Sequence, residues 1–273
     1  MFRRLLPALV LLLSGATATF ANPVFTPHRA VYDIKLERSS EQSGISAMDG
    51  RLVFQFDGSA CDGYTMNMRF VLRMQLPENL RVTDQQTTTF ESGDGNEFNF
   101  VTKTFTDQKL DKELRGSAMR DAKGIEVSVE KPDGMDVTLE PSQFPTMHLA
   151  ELIKRAQAGD TFYETSLFDG TDEGDRLMKT SVVIGKKTAN AADDAELAKA
   201  APLKDQQFWP VTIAYFDPTE ETSGESEPQY RITFKLYENG ITRDLEMDYG
   251  DFALKGAMTE LDMLPVAADC KAE

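Results

Sequence analysis

Residues 64–76 read YTMNMRFVLRMQL. Tyr64, Met66, Met68, Phe70, Leu72, Met74 and Leu76 occupy alternate positions, with Thr65, Asn67, Arg69, Arg73 and Gln75 between them and Val71 the one apolar exception. A side-chain period of two held over thirteen residues is that of a long antiparallel strand with one buried face. YRITFKLY, Tyr230 to Tyr237, repeats the pattern, with Tyr230, Ile232, Phe234 and Leu236 opposed to Arg231, Thr233 and Lys235.

Working outward, strand-like runs cover 31–37, 50–57, 81–91, 96–106, 109–120, 125–130 and 135–140, then 161–168, 176–184, 208–216, 241–248 and 251–262. With the first two, this predicts about fourteen strands. Asp94-Gly95, Lys123-Gly124, Pro132-Asp133-Gly134 and Asn239-Gly240 separate neighbouring runs and carry hairpin chemistry. Consecutive hairpins imply an up-and-down meander, so the expected class is all-β, mainly antiparallel, built as a large curled sheet.

One segment has helical spacing. In PTMHLAELIKRAQAG, 145–159, Leu149, Leu152, Ile153 and Ala156 form one stripe. Thr146 is placed to cap the N-terminus and Gly159 the C-terminus, with Lys154 and Arg155 in the last turns, where the helix dipole favours cations. A lone helix of this length is marginal in water, so it is expected to pack on the concave face of the sheet.

The chain opens MFRRLLPALVLLLSGATATFANP. Arg3 and Arg4, the apolar run Leu5–Leu13 and small residues before Asn22 form the pattern of a secretory signal peptide over 1–21. The run is shorter than the ~20 residues a membrane span needs, and no later stretch is apolar enough, so no transmembrane segment is expected. Removing Arg3 and Arg4 takes the formal charge from −16 to −18, a balance that disfavours nucleic acid and anionic membrane surfaces. The remaining 22–273 carries no Pro- or Ser-rich linker; 189–202 and 219–228 are the segments most like linkers, the first a short helix or loop, the second solvated.

Cys61 and Cys270 are the two cysteines. An even pair in an exported chain reads as a disulfide, with two buried free thiols or an intermolecular bridge as the alternatives.

Catalytic chemistry is sparse. His28 and His148 are the only histidines, which excludes a three-imidazole metal site, and the sequence has no nucleophile elbow, zinc-protease motif or glycine-rich phosphate loop. No enzyme, cofactor or metal is therefore expected. Met66, Met68 and Met74 invite comparison with copper carriers, but they share their face with Phe70 and Leu72 and read as core or cavity lining. Tyr64, Met66, Met68, Phe70, Leu72 and Met74 are accordingly the candidate lining of an apolar cavity able to hold an acyl chain or apolar peptide. FDGTDEGDR, 168–176, resembles a calcium loop but carries Thr171 and Thr180 at the third and twelfth loop positions counted from Asp169, so it reads first as a Gly/Asp turn.

FDGSACDGYTMNMRFV, FPTMHLAELIKRAQAGDTFYETSLFDGTDEGD, QFWPVTIAYFD and HRAVYDIKL resemble, in order and across 27–270, the EipB family of alphaproteobacterial cell-envelope integrity proteins. The resemblance implies a periplasmic location and one β-spiral domain of about fourteen strands around a central helix. It also implies a disulfide joining Cys61 to Cys270. It maps the central helix, which carries Leu149, Leu152 and Ile153, onto 146–158, and likens the spiral to periplasmic lipoprotein carriers. The resemblance implies support of the envelope under stress and carries over no ligand or activity; the expected mode is non-enzymatic binding of a periplasmic envelope protein or an apolar ligand. The alternative is carriage of a lipid or acylated protein.

Overall fold

The computed structural model describes residues 25–171, 173–219 and 227–266. The signal-peptide segment 1–21, most of the 219–228 segment and Cys270 lie outside them.

The strands among the described residues are β1 (His28–Ser39), β2 (Ala47–Ser59), β3 (Gly63–Gln75), β4 (Leu80–Glu91), β5 (Glu97–Thr106), β6 (Lys109–Arg120), β7 (Ile125–Lys131) and β8 (Met135–Leu139). Helix α1 (Pro145–Ala158) follows, then β9 (Phe162–Leu167), β10 (Met178–Ile184), β11 (Thr188–Ala189), β12 (Gln207–Phe216), β13 (Tyr230–Tyr237), β14 (Thr242–Asp248) and β15 (Phe252–Met263). All fifteen belong to one sheet. Fourteen were expected; the additional one is the two-residue β11, too short to show a periodicity.

The sheet order is β8-β7-β6-β5-β4-β3-β2-β1-β15-β14-β13-β12-β10-β9, with β11 beside β12. Two meanders are thus joined through β1 and β15, which pair antiparallel from His28↔Met263 to Ser39↔Phe252. β8 and β9 remain unpaired with each other, so the sheet curls without closing. A single parallel bridge, Gln143↔Leu167, brings the chain leaving β8 against the end of β9.

The outer face is polar. Arg51 pairs with Asp33, Arg73 with Asp49 and Arg69 with Asp84 across neighbouring strands. Such exposed pairs add little stability, but they keep apolar side chains off that surface. The inner face builds the main core, where Ala30, Tyr32 and Ile34 of β1 meet Val211 and Ile213 of β12 and Leu236 of β13. Leu152 and Ile153 of α1 are fully buried in this core and Leu149 packs against it. A second cluster joins Phe98 and Phe100 of β5 to Val127 and Val129 of β7, with Phe144, just before α1, stacked on Phe98 and Phe168, just after β9, edge-on to Phe100.

The helix begins differently from the expectation. Phe144 occupies the cap position without a side-chain hydrogen bond, and Pro145 is the first helical residue, so Thr146 lies inside the helix. Proline suits that position because its missing N–H would have no helical partner. The backbone N–H groups of Thr146 and Met147 donate instead to the Glu91 carboxylate of β4. Gly159 ends the helix as expected, at φ +87°.

The segment expected as a short helix or loop between Ala189 and Pro202 contains two 3-10 turns and is pinned to the sheet by Arg243 of β14. The Arg243 side chain is fully buried. It donates to Asp194 at 2.7 Å, Glu196 at 2.8 Å, the Asn190 carbonyl at 2.6 Å and the Tyr237 hydroxyl at 2.7 Å. Asn190 in turn donates to the backbone carbonyls of Leu203, Lys204 and Gln206. A fixed planar fork of donors matches this converging set of acceptors better than lysine would.

Candidate binding cavity

The two limbs of the curled sheet enclose a cavity of about 700 Å³ above the start of α1, where Pro145 forms part of its wall. Its first wall follows directly from strand register. Phe70 of β3 lies beside Leu52 of β2 on one side and Gln85 of β4 on the other, and Gln85 lies opposite Thr104 of β5. In the next row Met68 adjoins Thr87, which adjoins Thr102. Met66 adjoins Thr89. The same wall therefore changes from methionine and phenylalanine to threonine and glutamine within two strands. Thr87 and Thr102 share a hydrogen bond of 3.0 Å between their hydroxyls.

The facing wall comes from the second meander. Met178, Ile232, Leu245 and Met247 continue the apolar surface. Beside them Tyr215 stacks on Tyr230 at 4.4 Å between ring centroids, and Tyr230 meets Tyr249 at 5.9 Å. All three line the cavity. Burial pushes the Tyr215 and Tyr249 hydroxyls above their ordinary pKa, so both stay protonated and able to donate at neutral pH.

Of the cavity-lining residues among those described, only Lys112 and Asp169 are charged. Lys112 lies 2.8 Å from Glu173, and Asp169 accepts from the Thr171 backbone and hydroxyl at 3.0 and 2.6 Å. Asp169, Gly170 and Thr171 belong to the FDGTDEGDR stretch, which thus forms a wall of the cavity. Its glycines allow the close approach: Gly170, at φ +66°, sits where a Cβ would come within 2.6 Å of the Phe100 ring. Asp175 pairs with Arg176, which also reaches Asp217 at 2.9 Å. Asp172 is not among the described residues, and within those no cluster of three or more metal-ligating side chains occurs.

The predicted lining divides into two groups. Met66, Met68 and Phe70 line the cavity. Tyr64 instead packs among Phe25 and Phe56, and Leu72 and Met74 lie against the main core further along β3. Leu149, Leu152 and Ile153 face the core and do not reach the cavity wall. The threonine and tyrosine walls were not foreseen. Their signal was present as paired residues at strand spacing, Thr87 with Thr89 and Thr102 with Thr104, whose polarity made that face resemble solvent-exposed strand.

Two buried ionisable groups lie at the start of the helix, Glu91 from β4 and His148 within α1. The Glu91 carboxyl is raised by burial, against the opposing effect of the Thr146 and Met147 N–H donors. His148 is pushed down to about 4, mainly by burial, and its Nε2 lies 3.3 Å from the Thr180 hydroxyl. His28 sits elsewhere, with Nδ1 2.8 Å from the Thr26 carbonyl. A polar hollow of about 550 Å³ outside the cavity, between Glu164, Lys179 and Asp217, lacks comparable convergence of apolar walls.

These features define the class: an open, barrel-like antiparallel sheet with one internal helix and an interior cavity. The chain belongs to the EipB-like family, whose model matches residues 19–265. It is 50% identical over 252 residues to the cell envelope integrity protein EipB of Brucella abortus (strain 2308), covering 92% of this chain and 88% of that one. It is also similar to the crystal structure of a β-barrel-like protein of the domain of unknown function DUF1849 from Brucella abortus. That match has a TM-score of 0.85 and 50% identity, covering 89% of this chain and 99% of the other.

Proposed function

We propose that this is a non-enzymatic periplasmic protein that supports cell-envelope integrity by holding an apolar ligand, or an acyl chain of a lipidated partner, in the cavity above α1. The cavity carries the reading: about 700 Å³ with converging methionine, leucine and phenylalanine side chains lies within the range of small-ligand sites. Methionine suits a site that accommodates chains of varied shape. The envelope role follows the name of the Brucella abortus relative, and export follows the signal-peptide pattern.

Export would place Cys61 and Cys270 in oxidising surroundings, where we assign them to one disulfide. Cys61 lies in the β2–β3 turn, and no free cysteine occurs among the described residues. Strand register supports the pairing: His28 is opposite both Met263 and Phe56, which brings the end of β15 to the side of the sheet carrying that turn.

A second reading has its own observation. Phe162 of the edge strand β9 is 57% exposed, and its cross-strand partner Val183 is 51% exposed. An apolar pair beside unpaired backbone suits a protein partner that adds a strand.

Native mass spectrometry of protein purified gently from its own periplasm tests the leading reading. The expected result is a chain carrying the mass of an acyl-bearing molecule and two hydrogens lighter than its reduced form. Bare protein that also rejects fluorescent acyl probes overturns the cavity reading and directs attention to β9. A mass unchanged by reduction overturns the disulfide.

A further inference from the structure

We infer that the cavity selects a single-chain amphiphile with an uncharged, hydroxyl-rich head group, a glycoside in chemical class. This inference rests on the proposed binding role and adds the identity of the polar end of the ligand.

Capacity limits the number of chains. A cavity of about 700 Å³ falls in the range that buries one small ligand, the size of one medium chain with a small head group. A lipid with several long chains would leave much of its apolar surface outside.

The lining then determines the head group. Met66 and Met68 of the first meander and Met178 and Met247 of the second supply apolar lining. Across the rows from β3 to β5, Met66, Met68 and Phe70 give way to Gln85, Thr87, Thr89, Thr102 and Thr104, neutral groups that both donate and accept hydrogen bonds. From the second meander, Tyr215, Tyr230 and Tyr249 present a stepped aromatic surface, with burial holding the Tyr215 and Tyr249 hydroxyls protonated. A sugar ring has this same division of character, with hydroxyls around its edge and apolar C–H faces that pack on aromatic rings. An anionic head group lacks a matching site: Lys112 is compensated by Glu173, and Asp169 contributes the opposite charge. Burying a carboxylate or phosphate without a dedicated partner is costly.

The test uses decyl glucoside and decanoate, which carry similar alkyl chains, each titrated below its micellar concentration and followed by native mass spectrometry. Decyl glucoside is expected to bind at least about tenfold more tightly. The double variant Thr87→Val/Thr102→Val removes two mutually bonded hydroxyls while nearly preserving shape, a replacement that folded proteins tolerate well. It should reduce the preference for glucoside several-fold and leave decanoate binding unchanged; Tyr230→Leu should act in the same direction. Equal or tighter binding of decanoate overturns the head-group assignment while sustaining the cavity reading. Failure of both probes to bind folded protein, verified by its thermal transition, overturns both.

Discussion

The carboxylate of Glu91 on β4 caps α1 from across the fold, its Oε2 lying 2.7 Å from the backbone nitrogen of Thr146 and its Oε1 3.0 Å from that of Met147. The helix dipole favours a negative charge there, and two N–H groups without helical partners are satisfied. Glu91→Ala should cost about 1–3 kcal/mol in urea unfolding, because it strands buried donors. Glu91→Gln keeps one carbonyl acceptor and should cost less. Burial raises the folded pKa of Glu91, so the folded chain holds this proton more tightly than the unfolded chain. Its contribution to stability therefore declines as pH rises from the ordinary carboxylate range through the folded value, a slope that Glu91→Gln should remove.

His148 acts in the opposite direction. Its pKa falls from 6.5 to about 4 in the folded state, chiefly through burial. Below the ordinary value the unfolded chain takes up a proton that the folded chain refuses, so stability declines as pH drops through that window. One such group accounts for at most ~2 kcal/mol between pH 6.5 and 5. Unfolding free energies at pH 7 and 5 should converge by a comparable amount in His148→Gln.

Removing the Arg243 fork should be more damaging. Arg243→Met leaves Asp194 and Glu196, whose side chains are only 10% and 12% exposed, without their buried cation. Breaking one side of such a network costs about 3–5 kcal/mol. Urea unfolding should show the loss, and hydrogen exchange should accelerate over 189–206.

Gly170→Ala tests the loop that walls the cavity. The residue has φ +66°, and an added Cβ would meet Phe100 at 2.6 Å, so both conformation and packing oppose it. A loss of about 1–3 kcal/mol is expected. Gly159→Ala is the comparison, because its φ of +87° imposes conformational strain while no atom lies within 4 Å of the added group. It should destabilise less; equal effects would remove the packing argument.

The strands were legible because half-buried antiparallel sheet writes its two faces into alternating residues, as in 64–76 and 230–237. The helix was legible through Leu149, Leu152 and Ile153, but its cap was misplaced onto Thr146. The true partner, Glu91, lies 55 positions away and arrives only through sheet register. Cavity lining was partly legible for the same reason. Alternation identified the inward face of β3 but could not distinguish its middle, at Met66, Met68 and Phe70, from ends covered by aromatic and core packing. The polar wall remained hidden because threonines facing a cavity have the same local pattern as threonines facing water.

The pairing of β1 with β15 has a consequence for biosynthesis. Each meander can assemble from neighbouring hairpins, but β15, which lies between β1 and β14, follows all the other strands in the chain. A chain terminated before Phe252 would lack β15 and leave β1 and β14 as bare edges. Unpaired edges of this length invite aggregation. The architecture thus makes the union of the two meanders wait for β15: until that strand is available the two halves cannot become one sheet.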